Sequence, residues 1–305
     1  MRIARVLHAQ SPTPIVALER DGALYDVAEL DRHYGTRYAP EKLTGASDFH
    51  TRVIALSCAG LAELDDTLRA GRRPRDARLL PGSYSWLAPC ATDRALYVQM
   101  GAYQAPGARP HVEPFYTIGN ARGLLGHDAT VPCPPREEEP DVELGLAAVL
   151  GEDIRRATAE QADKAILGYA VLGDWTARSE ERRLGAGAAR AKDFATQLGP
   201  VLVTRDELRD LAALGARLKI GTELLSCSSV GAATFQIAES VAFVSEHIEL
   251  RAGDVIGAGC LDAGSARAHG RRIEYGQTVE LSIDRIGRLA GRPVRGPDPV
   301  GWRRQ

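Results

Sequence analysis

Two acids stand two residues apart at the head of an apolar run, Asp141-Val142-Glu143-Leu144-Gly145-Leu146-Ala147-Ala148-Val149-Leu150. In an extended strand alternate side chains share a face, so Asp141 and Glu143 point the same way. The residues behind them are almost wholly apolar, as in a strand that enters a core. Two carboxylates side by side at the mouth of a buried strand repel each other and lose hydration unless a cation lies between them. Oxygen-only ligands suit a hard divalent ion such as Mg²⁺, Mn²⁺ or Ca²⁺ better than zinc. The alternative is a solvated strand edge, and Glu137-Glu138-Glu139 just upstream favours it when the pair is taken alone.

The whole chain bounds what that chemistry serves. Its 305 residues make one large or two modest domains with an ample core. A net charge of −2 without a basic stripe gives no case for nucleic acid or an acidic membrane surface. No apolar run approaches the ~20 residues of a membrane span, and the N-terminus lacks a signal peptide's apolar segment. A cytoplasmic protein acting on a small molecule is expected. The five cysteines, at 58, 90, 133, 227 and 260, are scattered and lack CxxC or CxxH spacing, which argues against a disulfide framework or a zinc site. All but Cys260 read as small buried hydrophobes.

The elements that must position the acids are mostly strands. Short apolar runs at Arg2–Leu7, Pro14–Leu18 and Leu24–Val27 flank an Asp21-Gly22 turn, a hairpin signal. Leu61, Leu64 and Leu68 recur on one helix face within 49–71, which Gly71 closes. The Pro-broken Arg72-Arg73-Pro74-Arg75 and Leu80-Pro81-Gly82 mark a linker, so residues 1–85 are expected as a small N-terminal domain and 86–305 as the catalytic one. A strand is expected at 95–100, followed by a loop from Gln104 to Pro114 of the kind that forms lids or binding loops. Thr158-Ala159-Glu160-Gln161 has the form of a capping box opening a helix. Further strands are expected at 169–173, 201–204, 216–220, 223–226, 254–258 and 277–283, with helices at 206–211 and 237–245. The fold class that follows is α+β, built on a rolled mixed sheet or β-sandwich.

Four segments in this order and spacing resemble the fumarylacetoacetate hydrolase superfamily. They are Asp141-Val142-Glu143-Leu144; Gly173-Asp174-Trp175-Thr176-Ala177-Arg178; Ala191-Lys192-Asp193-Phe194 with Leu198-Gly199-Pro200; and Leu250-Arg251-Ala252-Gly253-Asp254-Val255-Ile256. The resemblance covers about residues 90–290 and implies a homodimer. It implies that Asp141, Glu143 and Asp174 bind Mg²⁺ or Mn²⁺. Three carboxylates around a small divalent ion would leave about three octahedral positions for water or a chelating substrate. Lys192 falls on the family's motif lysine, which points at the substrate's carboxylate or enolate. Beside acids and a metal, an ammonium is a charge clamp rather than a base. Arg178 either pairs with an acid or holds substrate, and Glu181 stands where relatives usually carry Gln.

The departures from the family pattern bear on the reaction. Asp141 is one methylene shorter than the usual Glu. The water-activating Asn-Tyr-x-x-His-x-x-Glu segment becomes Ala102-Tyr103-Gln104-Ala105-Pro106-Gly107-Ala108-Arg109. Neither Pro106 nor Arg109 accepts a proton at neutral pH. His111 is the nearby candidate base, and Tyr103 and Cys260, the latter in place of a family Thr, are candidate substrate contacts. A family lysine becomes Gly119. The leading expectation is a divalent-metal-dependent enzyme acting on a small oxo-acid or β-dicarbonyl compound through a metal-bound enolate, by C–C bond hydrolysis. The alternatives are an isomerase, decarboxylase, dehydratase or cyclase using the same site without the dyad, and a catalytically silent relative.

Overall fold

At the N-terminus the alternating pattern folds into β1 (Arg2–His8), β2 (Ile15–Arg20) and β3 (Ala23–Asp26), turned at Asp21 and Gly22 with φ of 51° and 75°. The structure is a computed structural model that describes residues 1–35, 57–90, 92–101, 112–184 and 188–298. Asp26 caps α1 (Val27–Tyr34) by accepting from the Ala28 amide at 2.8 Å. Helix α2 (Ser57–Arg69) buries Leu61, Leu64 and Leu68, the stripe the spacing predicts.

Short strands follow: β4 (Arg78–Leu79), β5 (Tyr84–Leu87), β6 (Tyr97–Met100), β7 (Tyr116–Gly119), β8 (Leu124–Leu125) and β9 (Ala129–Pro132). The acidic segment becomes β10 (Pro140–Leu150), and β11 (Ile166–Ala177) runs back along it after α3 (Ala159–Ala165). The Thr158–Gln161 capping box is formed at the start of α3. Next come α4 (Arg178–Leu184), α5 (Ala188–Lys192), β12 (Thr196–Thr204), β13 (Gly215–Ile220), β14 (Glu223–Ser229), α6 (Ile237–His247), β15 (Val255–Gly257), β16 (Val279–Ile283) and β17 (Gly287–Val294).

Two sheets result. The larger runs β4-β3-β2-β1-β12-β11-β10-β15-β6-β7, with β5 on β1 and β8 on β12, and the smaller runs β14-β13-β16-β17-β9. This is the mixed α+β architecture expected. A core that includes Val142, Leu144, Trp175, Leu281 and Leu289 fills the space between them. Gln197 ties the sheets together: its Oε1 accepts from Trp175 Nε1, and its Nε2 donates to the carbonyls of Gly126 and Ala290, each at 2.9 Å.

β1 pairs antiparallel with β12 through Arg2–Val203 and Ile3–Leu202, so the N-terminal strands extend the sheet that carries the acids. Cys227, expected as a small buried hydrophobe, is exposed, and two further expectations differ from what forms. The helix expected at 206–211 is a single 3₁₀ turn, Arg205–Glu207. Strand β17 was not expected, because Gly287, Gly291 and Pro293 hide it; pairing with β16 and β9 supplies what propensity does not.

Candidate active site

The site is assembled by strand register. β10 and β11 pair so that Asp141 lies opposite Thr176 and Glu143 opposite Asp174, and β12 places Thr196 against Asp174 from the other side. Directly opposed residues share a face, so a family of oxygens gathers at one end of three strands. Gly173 lets this end sit close to the second sheet, since a Cβ there would meet Leu281 Cδ1 at 2.7 Å. Over the strands passes the segment 259–266. The Leu144 amide donates to the Gly264 carbonyl and the Leu261 amide to the Leu144 carbonyl, both at 2.8 Å, which brings Cys260 and Ser265 to the site.

Two cations from the chain hold the carboxylates. Lys192 Nζ donates to Glu143 Oε2 at 2.8 Å, Asp174 Oδ2 at 2.5 Å and Thr176 Oγ1 at 2.8 Å. Arg178 donates through Nε and a terminal nitrogen to Asp141 Oδ2 at 2.9 and 2.8 Å, and to Glu143 Oε1 at 2.7 Å. Its other terminal nitrogen reaches both oxygens of Glu181 at 3.2 and 3.1 Å. Glu181 in turn accepts from Arg267 at 2.8 Å. Both residues therefore take a supporting place: Arg178 is committed to three acids, and Glu181 props Arg178 and Arg267.

Burial and charge set the protonation of this cluster. Burial raises the Asp174 and Asp141 carboxyls above the usual carboxylate range, against the pull of Lys192 and Arg178 respectively. For Glu143 burial pushes the same way, but Lys192 and Arg178 together win and hold it below that range. Burial alone would drive Lys192 toward its neutral form, yet Asp174 and Glu143 keep the ammonium above the ordinary lysine value. Lys192 is thus a fixed positive charge at any working pH. Burial, with Glu143 nearby, likewise raises the Cys260 thiol, so Cys260 is a neutral neighbour rather than a thiolate.

Two residues here were not singled out from sequence. Gln99 on β6 donates through Nε2 to Asp174 Oδ2. Tyr97, two residues earlier on the same strand face, is fully buried with its hydroxyl beside Thr196. Burial, then Asp174 and Glu143, push that phenol well above its usual range. The signal was the same period of two that marked Asp141 and Glu143. Tyr103 and His111 lie outside the described residues.

The donor set can be tested against a hard divalent ion. Glu143 and Asp174 meet the requirement: they are opposed, oxygen-only, and already share a cation, the Lys192 ammonium. Asp141 differs. Its Oδ1 accepts from the Val142 and Ala266 amides at 2.9 and 3.1 Å, and its Oδ2 accepts two bonds from Arg178. A carboxylate has about four lone-pair positions, and all of these are spent. Among the described residues no three His, Cys, Asp or Glu side chains are drawn together in a way that would hold a metal ion. The physical reason is that Lys192 and Arg178 stand between the acids.

A model of the C-terminal domain of fumarylacetoacetate (FAA) hydrolase matches residues 88–294. The chain is 30% identical over 246 residues to fumarylacetoacetate hydrolase domain-containing protein 2 of Pongo abelii, covering 77% of this chain and 78% of that one. It is 29% identical over 246 residues, with the same coverage, to a mitochondrial oxaloacetate tautomerase of Homo sapiens. In fold it resembles the maleylpyruvate hydrolase of Sphingobium sp. SYK-6, solved in complex with manganese(II) ion and pyruvate, with a TM-score of 0.74 at 20% identity over 97% of this chain and 100% of that one. The acid-bearing strands, the lysine between them and the segment that crosses them all fall within the matched residues, and the chain belongs to the fumarylacetoacetate hydrolase family of enzymes.

Proposed function

We propose that the protein is a divalent-metal-dependent enzyme that converts a small oxo-acid or β-dicarbonyl compound through an enolate, by keto–enol isomerisation. The observation that carries this reading is Lys192, a buried ammonium that donates to Glu143, Asp174 and Thr176 at once. Glu143 and Asp174 would hold the ion, and Asp141 would join only by giving up a bond from Arg178. A bound Mg²⁺ or Mn²⁺ would act as a Lewis acid on two substrate oxygens. Lys192, always charged, cannot serve as the base. Its three N–H donors are taken by Glu143, Asp174 and Thr176, so it would turn one of them, most simply the bond to neutral Thr176, to the oxygen that gains charge as the enolate forms. Arg178 keeps Asp141 and Glu143 oriented, and the 259–266 segment crosses the strands beside them.

Isomerisation is preferred over hydrolysis because Pro106 and Arg109 stand where the family's water-activating His and Glu belong. The oxaloacetate tautomerase among the relatives supports the same choice. C–C hydrolysis remains the second reading, and the presence of His111, the one histidine of 102–111, is the observation for it. The test follows the enol and keto forms of oxaloacetate by ultraviolet absorbance, with and without Mn²⁺, for the wild type, Glu143→Gln and Asp174→Asn. Metal-dependent interconversion that falls at least ~10²-fold in both variants is expected. Rates equal to the uncatalysed reaction for oxaloacetate and for acylpyruvates would end the proposal. The homodimer implied by the family resemblance belongs to the same proposal, and light scattering on the intact chain measures it.

A further inference from the structure

The metal platform leaves a group of arginines unused. Arg267, Arg271 and Arg272 follow the segment that crosses the site, and Arg182 lies on α4 one turn after Arg178. All five line one cavity of about 190 Å³, against two carboxylates, Glu139 and Asp141. The 3₁₀ turn Arg267–His269 ends at Gly270 with φ 64°, so the chain reverses between Arg267 and Arg271 and both reach the cavity. Gly270 itself lines the wall, and a Cβ there would meet nothing within 4 Å, which leaves that side open.

The ion pairs of the outer arginines are thin. Glu139 takes Arg182 on one oxygen at 2.5 Å and Arg272 on the other at 2.7 Å. Arg267 pairs with Glu181 at 2.8 Å and Arg271 with Glu223 at 2.6 Å, and neither of those acids lines the cavity. In these pairs each arginine gives a single nitrogen, while a guanidinium carries five N–H donors in a planar fork. Their side chains are 52% (Arg182), 57% (Arg267), 53% (Arg271) and 75% (Arg272) exposed, so they reach a ligand at little desolvation cost. The inner wall is Arg178, which is held by Asp141 and Glu143 of the acidic cluster and by Glu181.

We propose that this cavity is an oxyanion subsite, taking a carboxylate or phosphate group through fork-shaped pairing with Arg182, Arg267 and Arg272. Planar guanidiniums match such groups bidentately, which a set of lysines would not do. Its volume admits one such group with a short stem. Two sources share this chemistry: the far carboxylate of a dicarboxylic substrate held at Glu143 and Asp174, or a separate phosphorylated or carboxylated ligand. The first source rests on the function proposed above, and the subsite itself does not.

The experiment titrates inorganic phosphate calorimetrically into the full chain, in metal-free buffer at low ionic strength. Wild type is compared with Arg267→Gln/Arg272→Gln, with Arg267→Lys/Arg272→Lys, and with Arg288→Gln on the second sheet. Exposed positions leave the fold intact, and circular dichroism verifies it. Loss of charged hydrogen bonds should weaken phosphate at least about tenfold in the Gln pair, less in the Lys pair, and not in Arg288→Gln. Equal affinity in all four proteins, or no binding by the wild type, would overturn the subsite. Competition then separates the sources: succinate displacing phosphate where acetate does not supports a substrate arm, and phosphate resisting both supports a free phosphorylated ligand. Since phosphate binding is read without turnover, a protein inactive on every oxo-acid would sink the proposed function and leave this result standing.

Discussion

Arg178→Met is the most informative single change. The substitution keeps the apolar stem but removes two bonds to Asp141 at 2.9 and 2.8 Å, one to Glu143 at 2.7 Å and the pair with Glu181. The Arg178 and Asp141 side chains are 8% and 4% exposed, so water cannot replace the lost partner. Breaking a buried pair by removing one member costs about 3–5 kcal/mol, because the other charge is left uncompensated. The Val142 and Ala266 amides still donate to Asp141 Oδ1, which places the expectation at the lower end, about 3 kcal/mol. Asp141→Asn should cost about 1–3 kcal/mol, and the double variant should recover at least ~1 kcal/mol of the sum, a coupling typical of residues in contact.

The loss should also depend on pH in a stated direction. Burial already holds the Asp141 carboxyl above its ordinary value, and removing Arg178 raises it further. A carboxyl whose folded value exceeds its unfolded one contributes stability below the unfolded value, and that contribution is lost as pH rises through the folded one. The deficit of Arg178→Met relative to wild type should therefore be smaller near about pH 5 than near about pH 8. Urea unfolding at both values measures it. A cost under ~1 kcal/mol, the range of exposed ion pairs, or a deficit that grows on acidification would refute the reasoning.

Lys192→Ala should lower turnover ~10²–10³-fold, as for loss of an oxyanion donor, while far-ultraviolet circular dichroism stays native; activity within about threefold of wild type would contradict the charge-clamp role. Gln197→Leu strands the Trp175 indole and two carbonyls between the sheets and should cost about 3 kcal/mol or more, read from the urea midpoint. Burial pushes the Cys90 and Cys133 thiols up to about 12, so iodoacetamide at about pH 8.5 should label exposed Cys227 and spare both, as mass spectrometry would show. Glu143→Gln should weaken Mn²⁺, measured by electron paramagnetic resonance, at least about tenfold more than Asp141→Asn does, since Asp141 is already spent on protein donors.

What the sequence disclosed follows its own periodicities. Asp141 and Glu143 could be placed on one face because a strand repeats every two residues, and the Leu61, Leu64 and Leu68 stripe because a helix repeats every 3.6. The family resemblance brought Asp174 and Lys192 to the same place, and the structure does gather all four. What stayed hidden was whatever depends on a partner strand. Nothing in Ala95–Met100 says that Gln99 would face an acid 75 residues later, and β17 has the composition of a loop. That Arg178 would satisfy Asp141 was one of two open readings, because reach across 37 residues is set by register rather than by local sequence. A Pro-broken linker likewise shows where the chain turns, not whether strands meet across it, as β1 does with β12.

The cross-strand register of β10 and β11 has an evolutionary consequence. Glu143 faces Asp174 because the two strands are paired residue for residue from Pro140–Ala177 to Val149–Gly168, and the only shift comes at Leu150, beyond the acids. Residues gained or lost in the connection around 151–158 leave that alignment untouched, and the connection's length is held locally by the bridge of Ile154 to Leu250 and the bonds to Ser245. A single codon lost between Asp141 and Gly145 would instead rotate one strand's side chains to the opposite face. The acids would then be inherited unchanged and still never meet.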